Sequence, residues 1–155
     1  MKLLAVATLV ACHATPSAPP KLAKPIDSLA FYVGTWHCEG TEYGPKVEHW
    51  TATVEVRPEL DGSWLSVRMV GPGANRTDEH KGYDPEAKRW VHVAVGNDGL
   101  FALVTSPGWT GDHMVFTAEP DDQTRTTFTK LGERKYSHAV TRGDEKLWDK
   151  VCTKG

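Results

Sequence analysis

The stretch Leu29-Ala30-Phe31-Tyr32-Val33-Gly34-Thr35-Trp36-His37-Cys38-Glu39-Gly40 decides how this chain is interpreted. It begins as a short apolar turn and continues as a strand that opens with Gly-Thr-Trp and carries a cysteine two residues after the tryptophan. A second cysteine, Cys152, lies three residues before the last residue given. If these two parts of the chain meet, the segment between them forms a closed all-β structure. No residue pattern, by contrast, demands a particular reaction.

The residues beyond Thr35 predict many short strands. Turn-forming clusters of Gly, Pro, Asp and Asn recur at about the 8–12 residue spacing of an all-β sandwich or barrel. They lie at 44–45, 58–62, 71–73, 84–85, 97–99, 106–108, 120–122, 132–133 and 142–144. Nine turns separate ten strands, and connections this short require each strand to pair antiparallel with the next. A meander that closes into a barrel leaves no unpaired edge strands. The sequence therefore predicts a closed antiparallel meander barrel of about ten strands over residues 26–155.

Two features are expected to complete this barrel, a helical turn that closes one end and a bond between the first and last strands. Asp27 and Ser28 can cap a short helical turn that carries apolar residues at 29, 31 and 32 and plugs one end. Cys38 and Cys152 fall in the first and last strands, which are antiparallel neighbours in a closed meander. Outside the cytoplasm such a pair favours a disulfide over a metal site, and two free buried thiols are the alternative.

Composition limits the classes of partner. The chain has 155 residues, with 18 basic residues against 20 acidic ones, so it lacks the basic excess that nucleic-acid binding requires. Its hydrophobic content of 39% includes six tryptophans, which argues against a disordered chain. One domain that does not bind nucleic acid is the expected organisation.

The first 25 residues have the pattern of an export signal and a tether. A single lysine and a nine-residue apolar run, too short to span a bilayer as a helix, predict a signal peptide over residues 1–11. Leu9-Val10-Ala11-Cys12 resembles the lipobox of bacterial lipoproteins, which implies cleavage before Cys12 and acylation of that cysteine. A plain secretory signal cut a few residues later is the alternative. Residues 12–25, rich in proline, predict an extended tether. The expected location is the cell envelope, on the periplasmic side, with the outer membrane as an option.

Three further motifs resemble a known family. Leu29 to Trp36, then Lys81-Gly82-Tyr83-Asp84-Pro85, then Ser106-Pro107-Gly108-Trp109-Thr110-Gly111-Asp112 are similar to motifs of uncharacterised bacterial lipocalin-like (calycin-like) barrels. These barrels are distantly similar to fatty-acid-binding proteins and nitrobindin. The resemblance spans about residues 28–154. A barrel of ten strands is wider than the eight-strand size whose interior the side chains just fill, so a cavity is expected.

Five residues are candidates for the wall of that cavity: Trp50, Trp90, His92, Tyr136 and His138. The aromatic rings would supply contact area for a small, largely apolar ligand, and the histidines would orient its polar group by hydrogen bonds. Which face of the 90–95 strand points inward is left open. A late-strand histidine at 138 resembles the haem-ligand position of nitrobindin-like barrels, so haem binding is one alternative. A filled barrel that serves as an interaction or scaffold module is the other.

The chain lacks the usual signals for catalysis or metal binding. No Gly-x-Ser-x-Gly, Cys-x-x-Cys or helical pair of histidines is present, so neither an enzyme nor a metal centre is predicted. Paired acids, at 78–79, 121–122 and 144–145, are interpreted as solvated turn residues.

Overall fold

In a computed structural model, which describes residues 23–118 and 123–155, the chain forms an all-β barrel. The signal peptide, the acylated Cys12 and nearly all of the tether predicted from the sequence lie outside these residues. Three short 3-10 helices span Ile26–Tyr32, Leu60–Gly62 and Pro72–Ala74, and none of the described helices is long and apolar enough to cross a membrane. The strands are β1 (Gly34–Tyr43), β2 (Val47–Glu59), β3 (Trp64–Val70), β4 (Arg76–Asp84), β5 (Arg89–Gly96), β6 (Phe101–Ser106), β7 (Trp109–Thr110), β8 (His113–Ala118), β9 (Thr124–Gly132), β10 (Lys135–Arg142) and β11 (Glu145–Lys154).

The sheet closes on itself, as the sequence predicts. Antiparallel neighbours run in the order β6-β5-β4-β3-β2-β1-β11-β10-β9-β8, and a further pairing of β6 with β8 completes the ring. The two-residue β7 pairs only with β8 at the margin, so ten strands make up the barrel wall. Between the predicted turns at 106–108 and 120–122 the structure has two strands instead of one, because a turn at Gly111 and Asp112 separates β7 from β8.

The predicted disulfide joins the first and last strands of the meander. Cys38 of β1 lies directly opposite Cys152 of β11, and their sulfur atoms are bonded. Their Cα atoms are 4.0 Å apart, closer than the usual lower limit of about 4.4 Å. The seam that closes the chain into a ring is therefore covalently fixed.

Aromatic packing closes one end of the barrel. The first 3-10 helix (Ile26–Tyr32) lies across this end, and the Tyr32 ring packs edge-on against Phe128 and Tyr136, with centroids 5.0 Å away in both cases. Trp36 is fully buried there and donates a 2.8 Å hydrogen bond from Nε1 to the Tyr32 carbonyl. We call this end the closed end.

The predicted capping of that helix is wrong, although the plug itself is present. The helix begins at Ile26, after Pro25, and no side chain caps it. Asp27 therefore lies inside the first turn, and the Ser28 hydroxyl instead accepts a 3.2 Å hydrogen bond from Trp109 Nε1. Tertiary packing, rather than a local cap, holds the turn in place.

Candidate functional site

Five titratable side chains occupy the middle of the barrel. They point inward from four strands, and each residue is at most 5% exposed. We call them the polar cluster: Glu79 and Lys81 of β4, His92 of β5, His138 of β10 and Lys150 of β11. Strand register brings them together, because Lys81 lies opposite His92 and His138 lies opposite Lys150.

A single carboxylate organises half of this polar cluster. Glu79 Oε2 accepts hydrogen bonds from Lys81 Nζ at 2.5 Å and from His92 Nε2 at 3.0 Å. Burial alone would raise the pKa of Glu79, but Lys81 and the hydrogen bond from His92 outweigh it and hold that pKa well below its usual value. Glu79 is therefore ionised and is the counter-ion of Lys81. The ammonium of Lys81 also lies 5.6 Å from the centre of the Tyr32 ring, so the polar cluster rests directly on the closed end.

Lys150 has no comparable partner. Its Nζ donates a hydrogen bond to the thioether sulfur of Met69 at 3.4 Å, and it lies 5.7 Å from the centre of the Trp148 ring. No ion pair links it to a carboxylate within the described ranges. Burial, reinforced by Lys81 and opposed by Glu79, lowers the pKa of Lys150. A thioether is a weak acceptor, so Lys150 is a buried amine with unmet hydrogen-bonding capacity.

Both histidines of the polar cluster also keep an unused nitrogen. His92 Nδ1 and His138 Nε2 are buried, and neither has a hydrogen-bond partner among residues 23–118 and 123–155. The His138 ring packs edge-on against Trp148 at 5.1 Å between centroids and lies 6.2 Å from His92. Burial lowers the pKa of both imidazoles, assisted by Lys81 at His92 and by Lys150 at His138, so both are neutral near pH 7.

An open pocket lies at the end of the barrel away from the closed end. Its volume is about 590 Å³, and we call it the mouth. Trp50, Met69, Leu100 and Trp148 give it an apolar lining, and Thr77 adds a buried hydroxyl. Its acidic rim consists of the exposed residues Glu42, Glu48 and Asp98. Met69 and Trp148, which line the mouth, are also the side chains that contact Lys150, so the polar cluster lies immediately behind the mouth.

A close backbone approach shapes one wall of the mouth. Gly40 lies opposite Trp50 in the β1–β2 pairing, and a Cβ atom at position 40 would be 2.2 Å from the Trp50 ring. Only glycine allows the indole to lie flat against β1 here. The absence of a side chain at Gly40 therefore determines the position of the Trp50 ring.

The structure separates the five residues proposed from the sequence as ligand contacts. Trp50 lines the mouth, and His92 and His138 belong to the polar cluster behind it. Trp90, 4% exposed, packs edge-on against Tyr83, and Tyr136 is fully buried in the aromatic packing of the closed end. The 90–95 strand thus turns Trp90, His92 and Ala94 inward. That any of the five contacts a ligand stays a prediction.

Sequence reasoning missed the three charged members of the polar cluster. The interpretation of 78–79 as a solvated turn pair is wrong, because both residues lie within β4 and Glu79 points inward while Asp78 is exposed. Asp144 lies in a turn and Glu145 begins β11, and both are exposed as expected, whereas 121–122 lies outside the described residues. A signal for Lys150 was present, since it shares a strand face with Trp148 and Cys152. Charged residues at inward positions break the hydrophobic pattern that identifies a core.

The arrangement does not form a metal site. Across 23–118 and 123–155, no three His, Cys, Asp or Glu side chains are placed to hold a metal ion together. Haem also fits poorly, because rings of His92, Phe128 and Trp148 pack around His138 and a planar macrocycle would have to displace them. The geometry instead suits hydrogen bonding from the polar cluster to a group that enters from the mouth.

Comparisons with known proteins support the fold alone. No protein-family model matches the chain, and no curated protein matches it. The crystal structure of Rv2717c from M. tuberculosis is similar, with a TM-score of 0.67 over 87% of this chain and 99% of that chain. The two sequences are 12% identical over the match, so the likeness concerns the path of the backbone and not the residues of the mouth or the polar cluster.

Proposed function

We propose that this protein is a lipid-anchored protein of the cell envelope whose barrel binds a small, largely apolar molecule. The observation that carries the proposal is the mouth, because one end of the barrel is plugged while the other holds a pocket of about 590 Å³ with aromatic and thioether walls. Ligand pockets commonly have volumes of about 300–1,000 Å³ and a mainly apolar lining with a few polar groups. Trp50 and Trp148 would contact the apolar part of the ligand, and His138 would lie beneath them.

Binding is tested by native mass spectrometry of protein purified from its own host. A co-purified mass that is released on unfolding, and that is diminished in Trp148→Ala, supports the proposal. Phe101→Ala is the matched control, since Phe101 is a 70% exposed aromatic residue on the outer wall. Absence of a bound mass, together with no uptake of added apolar probes, would overturn it.

The lipid anchor rests on the sequence around Cys12. Cys12→Ser should abolish the lipid mass on the mature protein and move the protein from the membrane fraction to the soluble fraction. Retention in the membrane with no lipid mass on the unmodified protein would contradict acylation. The backbone N–H of Ala23 donates to the Gly62 carbonyl at 3.0 Å, between β2 and β3 at the closed end.

One observation favours a second candidate, a filled barrel that acts as an interaction or scaffold module. The middle of the barrel is occupied by the polar cluster, and the closed end by aromatic rings, so side chains fill much of the barrel interior that the structure describes. The same mass spectrometry distinguishes the two functions, because a scaffold shows no bound mass, either in the unmodified protein or in Trp148→Ala.

A further inference from the structure

The charges of the polar cluster do not balance. When Lys81 and Lys150 are protonated and the histidines are neutral, Glu79 is the single negative group among the described members, which leaves an excess of one positive charge. Lys81 Nζ lies 2.5 Å from the carboxylate of Glu79 and is paired with it, so the excess positive charge is on Lys150. An uncompensated buried charge is expensive, and one remedy is an opposite charge brought in from outside.

The two side chains with unused hydrogen-bonding groups, Lys150 and His138, each contact a residue that lines the mouth. Lys150 touches Met69 and Trp148, both of which line the mouth, and His138 Nε2, without a partner, belongs to a ring that packs on the same Trp148. His138 also pairs directly with Lys150 in the strand register. A group that passed Met69 would therefore meet an ammonium and an imidazole nitrogen together.

We propose that the molecule bound in the mouth carries a monoanionic head group, of the carboxylate type, that accepts hydrogen bonds from Lys150 Nζ and His138 Nε2. This inference rests on the proposed ligand-binding function and specifies the class of ligand. A single negative charge matches the single excess positive charge of the polar cluster. A dianion such as a phosphate monoester would neutralise the excess positive charge and add a buried, uncompensated negative charge.

The acidic rim does not oppose this assignment. Glu42, Glu48 and Asp98 are exposed, and water and salt screen exposed charges over roughly 8–10 Å. Lys150 is 2% exposed, so its interaction with an anion in contact is hardly screened. The rim lies beside the apolar part of the ligand, and the polar cluster selects the head group.

The test compares probes that share one alkyl chain and differ in head group: octanoate, octan-1-ol and octyl phosphate. Their affinities are measured by calorimetry with the folded, disulfide-bonded protein, with Lys150→Met and with Lys46→Met. Methionine keeps much of the length of lysine, and removal of an unpaired buried charge is commonly neutral or stabilising, so the Lys150 variant should fold. Lys46, whose side chain is 84% exposed between β1 and β2, is the control.

We expect octanoate to bind at least about tenfold more tightly than octan-1-ol, since hydrogen bonds to charged groups contribute enough binding free energy for that difference. Lys150→Met should remove this preference and leave octan-1-ol binding unchanged, whereas Lys46→Met should change neither. If octanoate and octan-1-ol bind the unmodified protein equally, or if octyl phosphate binds most tightly, the head-group assignment fails while a ligand-binding mouth stands. If none of the probes binds, the proposed function itself fails.

Discussion

Replacing Glu79 by glutamine should destabilise this protein more than any exposed charge substitution. Glutamine has nearly the volume of glutamate, so the change removes the negative charge and leaves the packing in place. Lys81, whose side chain is 3% exposed, then lacks a counter-ion. Removing one partner of a buried ion pair costs about 3–5 kcal/mol, because the remaining charge stays buried without compensation. We expect the free energy of unfolding to fall by about that amount.

The measurement is urea unfolding followed by tryptophan fluorescence at pH 7, with the disulfide intact. Glu133→Gln is the control, because Glu133 pairs with Lys130 at a distance of 2.5 Å but is 76% exposed. An exposed pair of this kind contributes about 0–1 kcal/mol. The double variant Glu79→Gln with Lys81→Met should lose less than the sum of its single variants, since neither buried charge remains. If Glu79→Gln unfolds at the same urea concentration as Glu133→Gln, Glu79 is not the counter-ion that the geometry indicates.

Three further outcomes are expected. Reduction and alkylation of the Cys38–Cys152 bond, which spans 114 residues, should lower the free energy of unfolding by at most about 4–5 kcal/mol in the same urea assay, and an unchanged midpoint would contradict its role in closing the barrel. Because the pKa of His138 is lower in the folded protein than in the unfolded chain, its stabilising effect is complete above about pH 6.5 and is lost as the pH falls towards the folded value. His138→Gln should therefore reduce the loss of stability between about pH 7 and pH 5, and an identical pH profile would count against a neutral, buried imidazole. Gly40→Ala should displace the Trp50 ring, shift its fluorescence and weaken ligand binding at the mouth, and unchanged spectra and binding would show that the close contact is not required.

The path of the backbone could be predicted because each strand follows local rules. Asn97-Asp98-Gly99 illustrates this, since the positive φ of Gly99 (+93°) suits a tight turn between β5 and β6. The alternation around Trp50, Ala52 and Val54 marks an inward face without ambiguity. Closure then follows from strand number and from two cysteines in the terminal strands. These features depend on residues near one another in sequence, or on a single covalent pair.

The polar cluster could not be predicted in the same way because it consists of long-range partners. Glu79 and Lys81 look like surface residues in any local window, and only the barrel brings His92 into hydrogen-bonding distance of that carboxylate. The same limit applies to Trp90 and Tyr136. Their inward direction suggests a cavity wall, but inward positions at the closed end are filled by the 3-10 helix. Hydrophobic periodicity indicates which face of a strand points inward, but it does not indicate how far along the barrel axis a residue lies.

The disulfide and the polar cluster are connected through β11. Cys152 and Lys150 point to the same side of that strand, two residues apart, and Cys152 is bonded to β1. A slip of one residue between β1 and β11 would turn Lys150 outward and place Val151 inside. The bond between Cys38 and Cys152 excludes that slip, because a cysteine facing solvent could not reach its partner in the core. The disulfide therefore does more than close the chain, since it fixes which face of β11 points into the barrel and so keeps Lys150 inside.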